Sequence, residues 1–127
     1  FDRYCIAPHI EIVTALKAQF PDVKIIGFPR GAADKYIDYT AQVDVDCVAV
    51  DTAVSSVWAA ENLQPKTCVQ GNLDQSLLVS GGDKLVSETK RVVEAFKGGP
   101  HIFNLGHGIT PDASPENVSL MLEAIRG

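Results

Sequence analysis

The sequence His-Ile-Phe-Asn-Leu-Gly-His-Gly-Ile, at residues 101–109, decides how the rest of the chain is interpreted. Its first five residues are mostly apolar and have the length of a buried strand, and the two glycines then end the strand on either side of His107. Downstream, Ser114 can cap a helix whose first residue, Pro115, suits that position. The segment therefore predicts a strand, a loop that presents a histidine, and a helix.

Strand-like apolar runs recur upstream, and a helical pattern follows each of them. The predicted strands are residues 23–28, 45–50, 67–72 and the run that starts at 101. The helices predicted to follow them are residues 33–42, 53–63, 83–97 and the helix that starts at 115. One more helix, residues 8–20, precedes the first strand, and the periodicity predicts an inward stripe of Ile10, Val13, Leu16 and Phe20.

This succession of strands and helices predicts an α/β fold with parallel strands. A helix between consecutive strands implies right-handed crossovers, and the apolar character of the strands predicts that both sheet faces are buried. Two architectures remain open: a complete four-stranded, flavodoxin-like open sheet, or the C-terminal half, meaning the last four strands, of a TIM-type (β/α)8 barrel. The helix without a preceding strand, and a first residue that is Phe1, favour a half-barrel fragment spanning residues 1–127.

Composition excludes several classes of function. The chain has 127 residues, 46% of them apolar, and a net charge of −5, which is typical of a globular domain and argues against nucleic-acid binding. The three cysteines are an odd number without Cys-x-x-Cys spacing, which indicates thiols in a reducing compartment. No apolar run is long enough for a membrane span and no signal peptide is evident. We expect a soluble, cytoplasmic protein.

Polar residues follow the predicted strands, and the carboxyl ends of parallel strands are where such folds bind ligands. His107 is the strongest candidate for a binding residue, and Arg30, Asn72 and Asn104 are predicted as additional contacts on this rim. Structural alternatives remain open for some of these positions. In these alternatives, Asp51 with Thr52 caps the helix at 53. Asn72 would then be a turn residue and Arg30 a solvated loop cation.

Other chemistry finds little support in the sequence. His9 lies on the first helix and His101 at a strand start, so neither is expected to be catalytic. The serines at 55 and 56 lie outside any Gly-x-Ser-x-Gly elbow, which argues against a nucleophilic serine. No His or Cys ends the first three strands, and no cluster of His, Cys or carboxylates has ligand spacing, so we expect no metal.

Three segments carry a resemblance to the uroporphyrinogen decarboxylase family. Asn-Leu-Gly-His-Gly-Ile at residues 104–109, with Ser-Pro-Glu-Asn-Val at 114–118, resembles the C-terminal signature of that family. Val-Gln-Gly-Asn-Leu-Asp at 69–74 resembles its Gln-Gly-Asn-Leu-Asp-Pro segment, and Ile-Gly-Phe-Pro-Arg-Gly at 26–31 resembles its phenylalanine-basic-glycine strand end. Two departures are Gln75 in place of the usual proline and Asp-Thr-Ala-Val at 51–54 in place of Asp-Trp-Thr-Val.

The resemblance implies a (β/α)8 barrel of which this chain carries the last four βα units. It also implies a cofactor-free carboxy-lyase that converts the four acetate arms of uroporphyrinogen III to methyl groups in tetrapyrrole (heme and chlorophyll) biosynthesis. Of the family's site residues, only His107 has a counterpart here, as a substrate-binding residue, so no catalytic residue is assigned. We expect the fragment alone to be inactive, and to form a homodimer or associate with the missing N-terminal half.

Two rival functions differ from this one in testable features. A cobamide-linked, zinc-dependent methyltransferase of the same superfamily has His-x-Cys where this chain has Phe-Pro-Arg at residues 28–30, and Gly-Cys where it has Gly-His at 106–107. The absence of both thiols argues against methyl transfer. The second rival, a flavodoxin-like module that binds a small ligand, requires the open four-stranded sheet.

Overall fold

The computed structural model describes residues 1–127, and a four-stranded parallel sheet organises it. The strands are β1 (Ile26–Gly27), β2 (Cys47–Ala49), β3 (Cys68–Gln70) and β4 (His101–Ile102). Each strand pairs in parallel with the next one along the chain. The predicted α/β class and the predicted parallel pairing are therefore confirmed.

Six α-helices accompany the strands along the chain. They are α1 (Ala7–Gln19), α2 (Tyr36–Gln42), α3 (Ser56–Asn62), α4 (Leu77–Ser80), α5 (Gly82–Phe96) and α6 (Pro115–Arg126). A π-helical turn, Asp2–Ile6, runs into α1, and a 3₁₀ turn, Ala33–Lys35, runs into α2. None of the helices is both long and apolar enough to cross a lipid bilayer.

The strand order, β1-β2-β3-β4, contains no reversal. A flavodoxin-like sheet reverses its strand order at the switch point where the ligand binds. When the order does not reverse, right-handed crossovers all advance in one direction and place the connecting helices on one face. In agreement with this, α3 contacts α5 and α5 contacts α6 as neighbours in a single layer.

The two faces of the sheet differ in how well they are covered. Val48 and Val69 are register partners and fully buried, and their side chains face the helix layer. The alternate positions face the opposite way, and there Ile26 on β1 is 48% exposed and Ile102 on β4 is 42% exposed. The prediction that both faces are buried is therefore wrong for Ile26 and Ile102 on the edge strands, although Cys47 and Ala49 of β2 are buried on the same face.

The regular strands are shorter than the predicted ones. Only two or three residues of each apolar run enter the ladder, although further parallel contacts extend it: Leu73 bridges Leu105 beyond the last strand pair. At the other end, the Ile25 carbonyl oxygen accepts hydrogen bonds from both Asp46 and Cys47, which ends the regular pairing of β1 and β2. The order and position of the four strands follow the sequence pattern.

The sequence pattern identifies α5 well, but it gives the wrong buried face for α1 and the wrong first residue for α3. The predicted helix 83–97 corresponds to α5, which buries Leu85, Val92 and Phe96 against the core. In α1 only Val13 of the predicted stripe is buried, and His9, outside that stripe, contacts the hydroxyl of Tyr39. In α3 the helix begins at Ser56, since Ser55 Oγ accepts the hydrogen bond from Trp58 N–H. The alternative interpretation, in which Asp51 with Thr52 caps a helix at 53, therefore does not hold.

Candidate functional site

Loops from all four strand ends meet at one small cavity. Its volume is about 310 Å³, and Arg30 after β1 and His107 after β4 both line it. The remaining lining residues are Gly31, Asp51, Thr52, Ala53, Gln75 and Gly106. The structure therefore brings together two of the four predicted rim residues, Arg30 and His107, which lie 77 positions apart in the sequence.

A second cavity, of about 400 Å³, adjoins His107 and is mostly apolar. Asn104, a third predicted rim residue, lines it together with Phe28 and Gln70. The side chain of Asn104 is exposed, and its Oδ1 accepts a 2.8 Å hydrogen bond from the Leu105 N–H. Its amide group is left free to donate to a ligand. An apolar cavity beside polar side chains suits a ligand that has an apolar body and charged arms.

The hydrogen bonding of His107 fixes which ring nitrogen is the donor. Its Nδ1 accepts a hydrogen bond of 2.6 Å from the N–H of Gly108. A nitrogen that accepts a hydrogen bond carries no proton, so the neutral ring has its proton on Nε2. The exposed imidazole therefore offers Nε2–H as a hydrogen-bond donor to a ligand.

The loop after β4 lies directly against the end of β2. A Cβ atom placed on Gly106 would stand 2.8 Å from Thr52 Cγ2 and 3.0 Å from the Thr52 backbone nitrogen. The Gly106 N–H donates to the carbonyl of Leu73 at 2.7 Å, which also ties the loop to the end of β3. Only glycine allows this approach, and it holds His107 close to the Asp51-Thr52 segment.

Asp51 is buried at the centre of the rim. Its Oδ2 accepts a hydrogen bond of 2.6 Å from Gly31 N–H, and its Oδ1 accepts one of 2.9 Å from Ala53 N–H. Its own N–H donates to the hydroxyl of Tyr36 at 3.2 Å. Burial raises the pKa of Tyr36 to about 12, so this phenol stays protonated at neutral pH. The sequence suggested a helix cap for Asp51, and this contact between loops was missed.

Asn72, the fourth predicted rim residue, does not line the cavity of Arg30 and His107. Its side-chain NH₂ donates to the Asp51 carbonyl at 2.9 Å and to the Val54 carbonyl at 2.8 Å. Its side chain is buried, and it borders a separate polar cavity of about 520 Å³ between α3 and α5. The amide of Asn72 thus holds the loop after β2.

The other two histidines make contacts inside the fold. His9 Nδ1 lies 2.9 Å from the Tyr39 hydroxyl. His101 stacks on Phe96, and its Nε2 is 2.6 Å from the carbonyl oxygen of Gly71, to which it donates. Burial lowers the pKa of His101, which keeps the ring neutral. Both rings therefore make structural contacts within the fold.

Two features of this rim bear on its chemistry. No group of three or more His, Cys, Asp or Glu side chains is arranged so that it could hold a metal ion. Gln75 has a buried Oε1 without a hydrogen-bond partner, and it lines the cavity beside Arg30 and His107. Its place just beyond a strand end was the one sequence signal that could have identified it.

The fold and this rim define an α/β protein that presents a cation and an imidazole at the carboxyl ends of parallel strands. The family model of uroporphyrinogen decarboxylase (URO-D) matches residues 1–127. The chain therefore belongs to the uroporphyrinogen decarboxylase family, which confirms the resemblance found in the sequence.

Individual relatives agree with the family match. The chain is 59% identical over 126 residues to the uroporphyrinogen decarboxylase of Jannaschia sp. (strain CCS1), covering 99% of this chain and 37% of that protein. It is 58% identical over 127 residues to that of Paracoccus denitrificans (strain Pd 1222) and 57% identical over 127 residues to that of Roseobacter denitrificans (strain ATCC 33942 / OCh 114). In both cases all of this chain and 37% of the relative are covered, so the chain spans little more than a third of the curated relatives' length.

Proposed function

We propose that the protein to which these residues belong is a uroporphyrinogen decarboxylase. Such a carboxy-lyase replaces the carboxylate of each of four acetate arms on uroporphyrinogen III by a proton, releasing CO₂ and giving coproporphyrinogen III for tetrapyrrole biosynthesis. The observation that carries the proposal is the identity of 55% to 59% to relatives of that name, along the entire chain. The rim cavity that Arg30 and His107 share supplies groups suited to an anionic substrate.

The same proposal includes a half-barrel fold, with residues 1–127 as the C-terminal half of one (β/α)8 domain. The strand order without reversal supports it, because a barrel adds each strand beside the previous one. The exposed side chains of Ile26 and Ile102 also support it, since this face of a closed barrel is the packed interior. On α1, Ile12 and Leu16 are exposed as well and would face the missing preceding strand.

We assign His107 to substrate binding. Its Nε2–H can donate a hydrogen bond to a substrate carboxylate, and Arg30 in the same cavity can pair with that carboxylate or with a neighbouring one. Asn104 is a further contact from the adjoining apolar cavity, and Asn72 supports the loop after β2. No residue of this chain is assigned as the proton donor.

The chemistry gives these groups a defined task. Loss of CO₂ requires that a pyrrole ring be protonated and that its positive charge be stabilised while the other carboxylates are held in place. Holding several carboxylates on one face of the substrate needs cations and hydrogen-bond donors, which is what Arg30 and His107 provide. The proposed reaction uses no metal and no cofactor, and its acid and charge-stabilising groups lie outside these residues.

We also propose a partner and a compartment. The uncovered sheet face requires a second surface, which is either the N-terminal half of the same domain or, for the isolated fragment, a second copy of the chain. The intact protein is proposed to be a homodimer. The three free thiols suit a reducing compartment such as the cytoplasm.

Turnover by the full-length protein tests the proposal. We expect it to convert uroporphyrinogen III to coproporphyrinogen III under anaerobic conditions. Chromatography of the oxidised products measures this conversion. We expect chelator treatment to leave the rate unchanged. The 127-residue chain alone should show no turnover. Failure of the full-length protein to release CO₂, or stoichiometric zinc in a chelator-washed sample, would contradict the proposal and favour methyl transfer.

A further inference from the structure

We infer that Asp51 is a positioning residue that fixes Arg30 relative to His107 for binding of a substrate carboxylate. The inference rests on the proposed function, since it concerns the same rim. Asp51 follows β2, which lies in the sheet between β1, the strand before Arg30, and β4, the strand before His107. It contacts the loop of Arg30 through its carboxylate, and its neighbour Thr52 contacts the loop of His107.

The first contact holds the loop after β1. This loop turns sharply, with the Ala32 N–H donating to the Pro29 carbonyl at 3.1 Å and Gly31 in the left-handed region at φ 76°. Its hydrogen bond to another loop of the rim is the one from Gly31 N–H to Asp51 Oδ2, at 2.6 Å. Because Arg30 directly precedes Gly31, this bond determines where the guanidinium group can reach.

The second contact holds the loop after β4. Gly106 approaches the backbone nitrogen of Thr52 so closely that its position is set by the Asp51-Thr52 segment. His107 follows immediately, and its ring orientation is set in turn by the hydrogen bond from Gly108. The Asp51-Thr52 segment after β2 therefore determines the spacing between the guanidinium group of Arg30 and the Nε2–H donor of His107.

Asp51 is itself immobilised, as a positioning residue must be. It is 7% exposed, and both carboxylate oxygens accept hydrogen bonds from backbone N–H groups, of Gly31 and Ala53. Its carbonyl accepts from Asn72, and its N–H donates to Tyr36. With both oxygens occupied, the carboxylate is unsuited to transfer a proton to the substrate, so its contribution is geometric.

Asp51→Asn isolates this contribution with little change of volume. An amide has one oxygen and one NH₂ group, so it can accept only one of the two backbone hydrogen bonds. The loop of Arg30 then loses its attachment or is displaced. We expect KM for uroporphyrinogen to rise about tenfold, as for one lost charge-assisted hydrogen bond, with kcat changed less than about twofold.

A double-mutant cycle on the full-length protein separates positioning from a general structural role. We expect Asp51→Asn to raise KM in the wild-type background and to have almost no further effect on KM in an Arg30→Ala background, because Asp51 acts through Arg30. Asp38→Asn is the matched control, because Asp38 is a partly exposed carboxylate of α2 that pairs only with Lys35, and it should leave both constants unchanged. An equal rise in KM in both backgrounds, or a fall in kcat at constant KM, would overturn the inference.

Amide hydrogen exchange at Gly31 supplies a readout that does not need turnover. We expect the Gly31 amide to be protected in the wild type and in Asp38→Asn, and to exchange at least about tenfold faster in Asp51→Asn. Unchanged exchange in Asp51→Asn would overturn the inference even if KM rises as expected. If the wild type neither binds nor converts uroporphyrinogen, the proposed function fails, and the role of Asp51 in catalysis is overturned with it.

Discussion

Gly106 lies against Thr52 with no room for a side chain, since an added Cβ would stand 3.0 Å from the Thr52 backbone nitrogen. This contact joins the end of β4 to the end of β2, two strands that are not neighbours in the sheet. The histidine that follows Gly106 is therefore positioned by packing between backbones.

The substitution Gly106→Ala tests that packing. The added methyl group must push the loop away from Thr52, because a backbone atom cannot rotate aside. We expect a loss of roughly 1 to 3 kcal/mol in the free energy of unfolding, typical of overpacking, and a fall of at least about tenfold in kcat/KM of the full-length protein. Gly98→Ala is the control, since a Cβ at Gly98 meets no atom within 4 Å. If both variants behaved alike in thermal unfolding and in turnover, the contact would be unimportant.

Two substitutions at His107 test its proposed role in substrate binding and distinguish its two ring nitrogens. The amide of glutamine reaches the position of Nε2, whereas the amide of asparagine reaches only the position of Nδ1. We expect His107→Asn to lower kcat/KM by about ten- to hundredfold, since one charge-assisted hydrogen bond contributes roughly 1.5 to 3 kcal/mol. His107→Gln should retain more activity, because it keeps a donor at the right place. Steady-state kinetics with equal values for the two variants, or wild-type activity in His107→Asn, would show that Nε2–H is not the binding group.

The partly buried ring of His101 makes stability depend on pH. Burial lowers its pKa in the folded state, and the hydrogen bond to Gly71 only partly opposes this. The unfolded chain takes up a proton near a pH of about 6.5, whereas the folded chain resists it. The stabilisation is thus complete above that pH and is lost as the pH falls below it.

Thermal unfolding between neutral pH and a pH of about 5 measures this effect. The full-length protein should lose stability more steeply than His101→Gln, because glutamine can still donate to Gly71 and cannot be protonated. Parallel curves for the two proteins would mean that His101 does not titrate with folding.

Much of the fold could be predicted from local sequence. The four strand positions follow from short apolar runs that end in glycine or polar residues, and the cap at Ser114 was confirmed by its hydrogen bond from Asn117 N–H. That Arg30 and His107 share a cavity also follows from sequence, because the carboxyl ends of parallel strands meet at one edge. These features depend on the spacing of apolar residues and on the direction of the chain, and both can be determined from the sequence alone.

The predictions failed where contacts between distant residues decided the outcome. Periodicity identified an apolar stripe on α1 but not the face that packs, because apolar residues such as Ile12 and Leu16 lie around much of the helix. Asp51 looked like a helix cap, since nothing local indicates that Gly31, 20 residues earlier, donates to its carboxylate. Asn72 was predicted to face the rim, and its amide is instead bound by two carbonyls of the loop after β2.

In the proposed half-barrel, the four strands belong to a barrel whose other strands lie outside residues 1–127. Light scattering of the pure 127-residue chain in dilute solution, combined with thermal unfolding, tests it most directly. We expect dimers or larger species, because the exposed sheet face around Ile26 and Ile102 and the open edges of β1 and β4 need a partner. A stable monomer of 13.6 kDa that unfolds cooperatively would contradict the half-barrel and favour an independent four-stranded module.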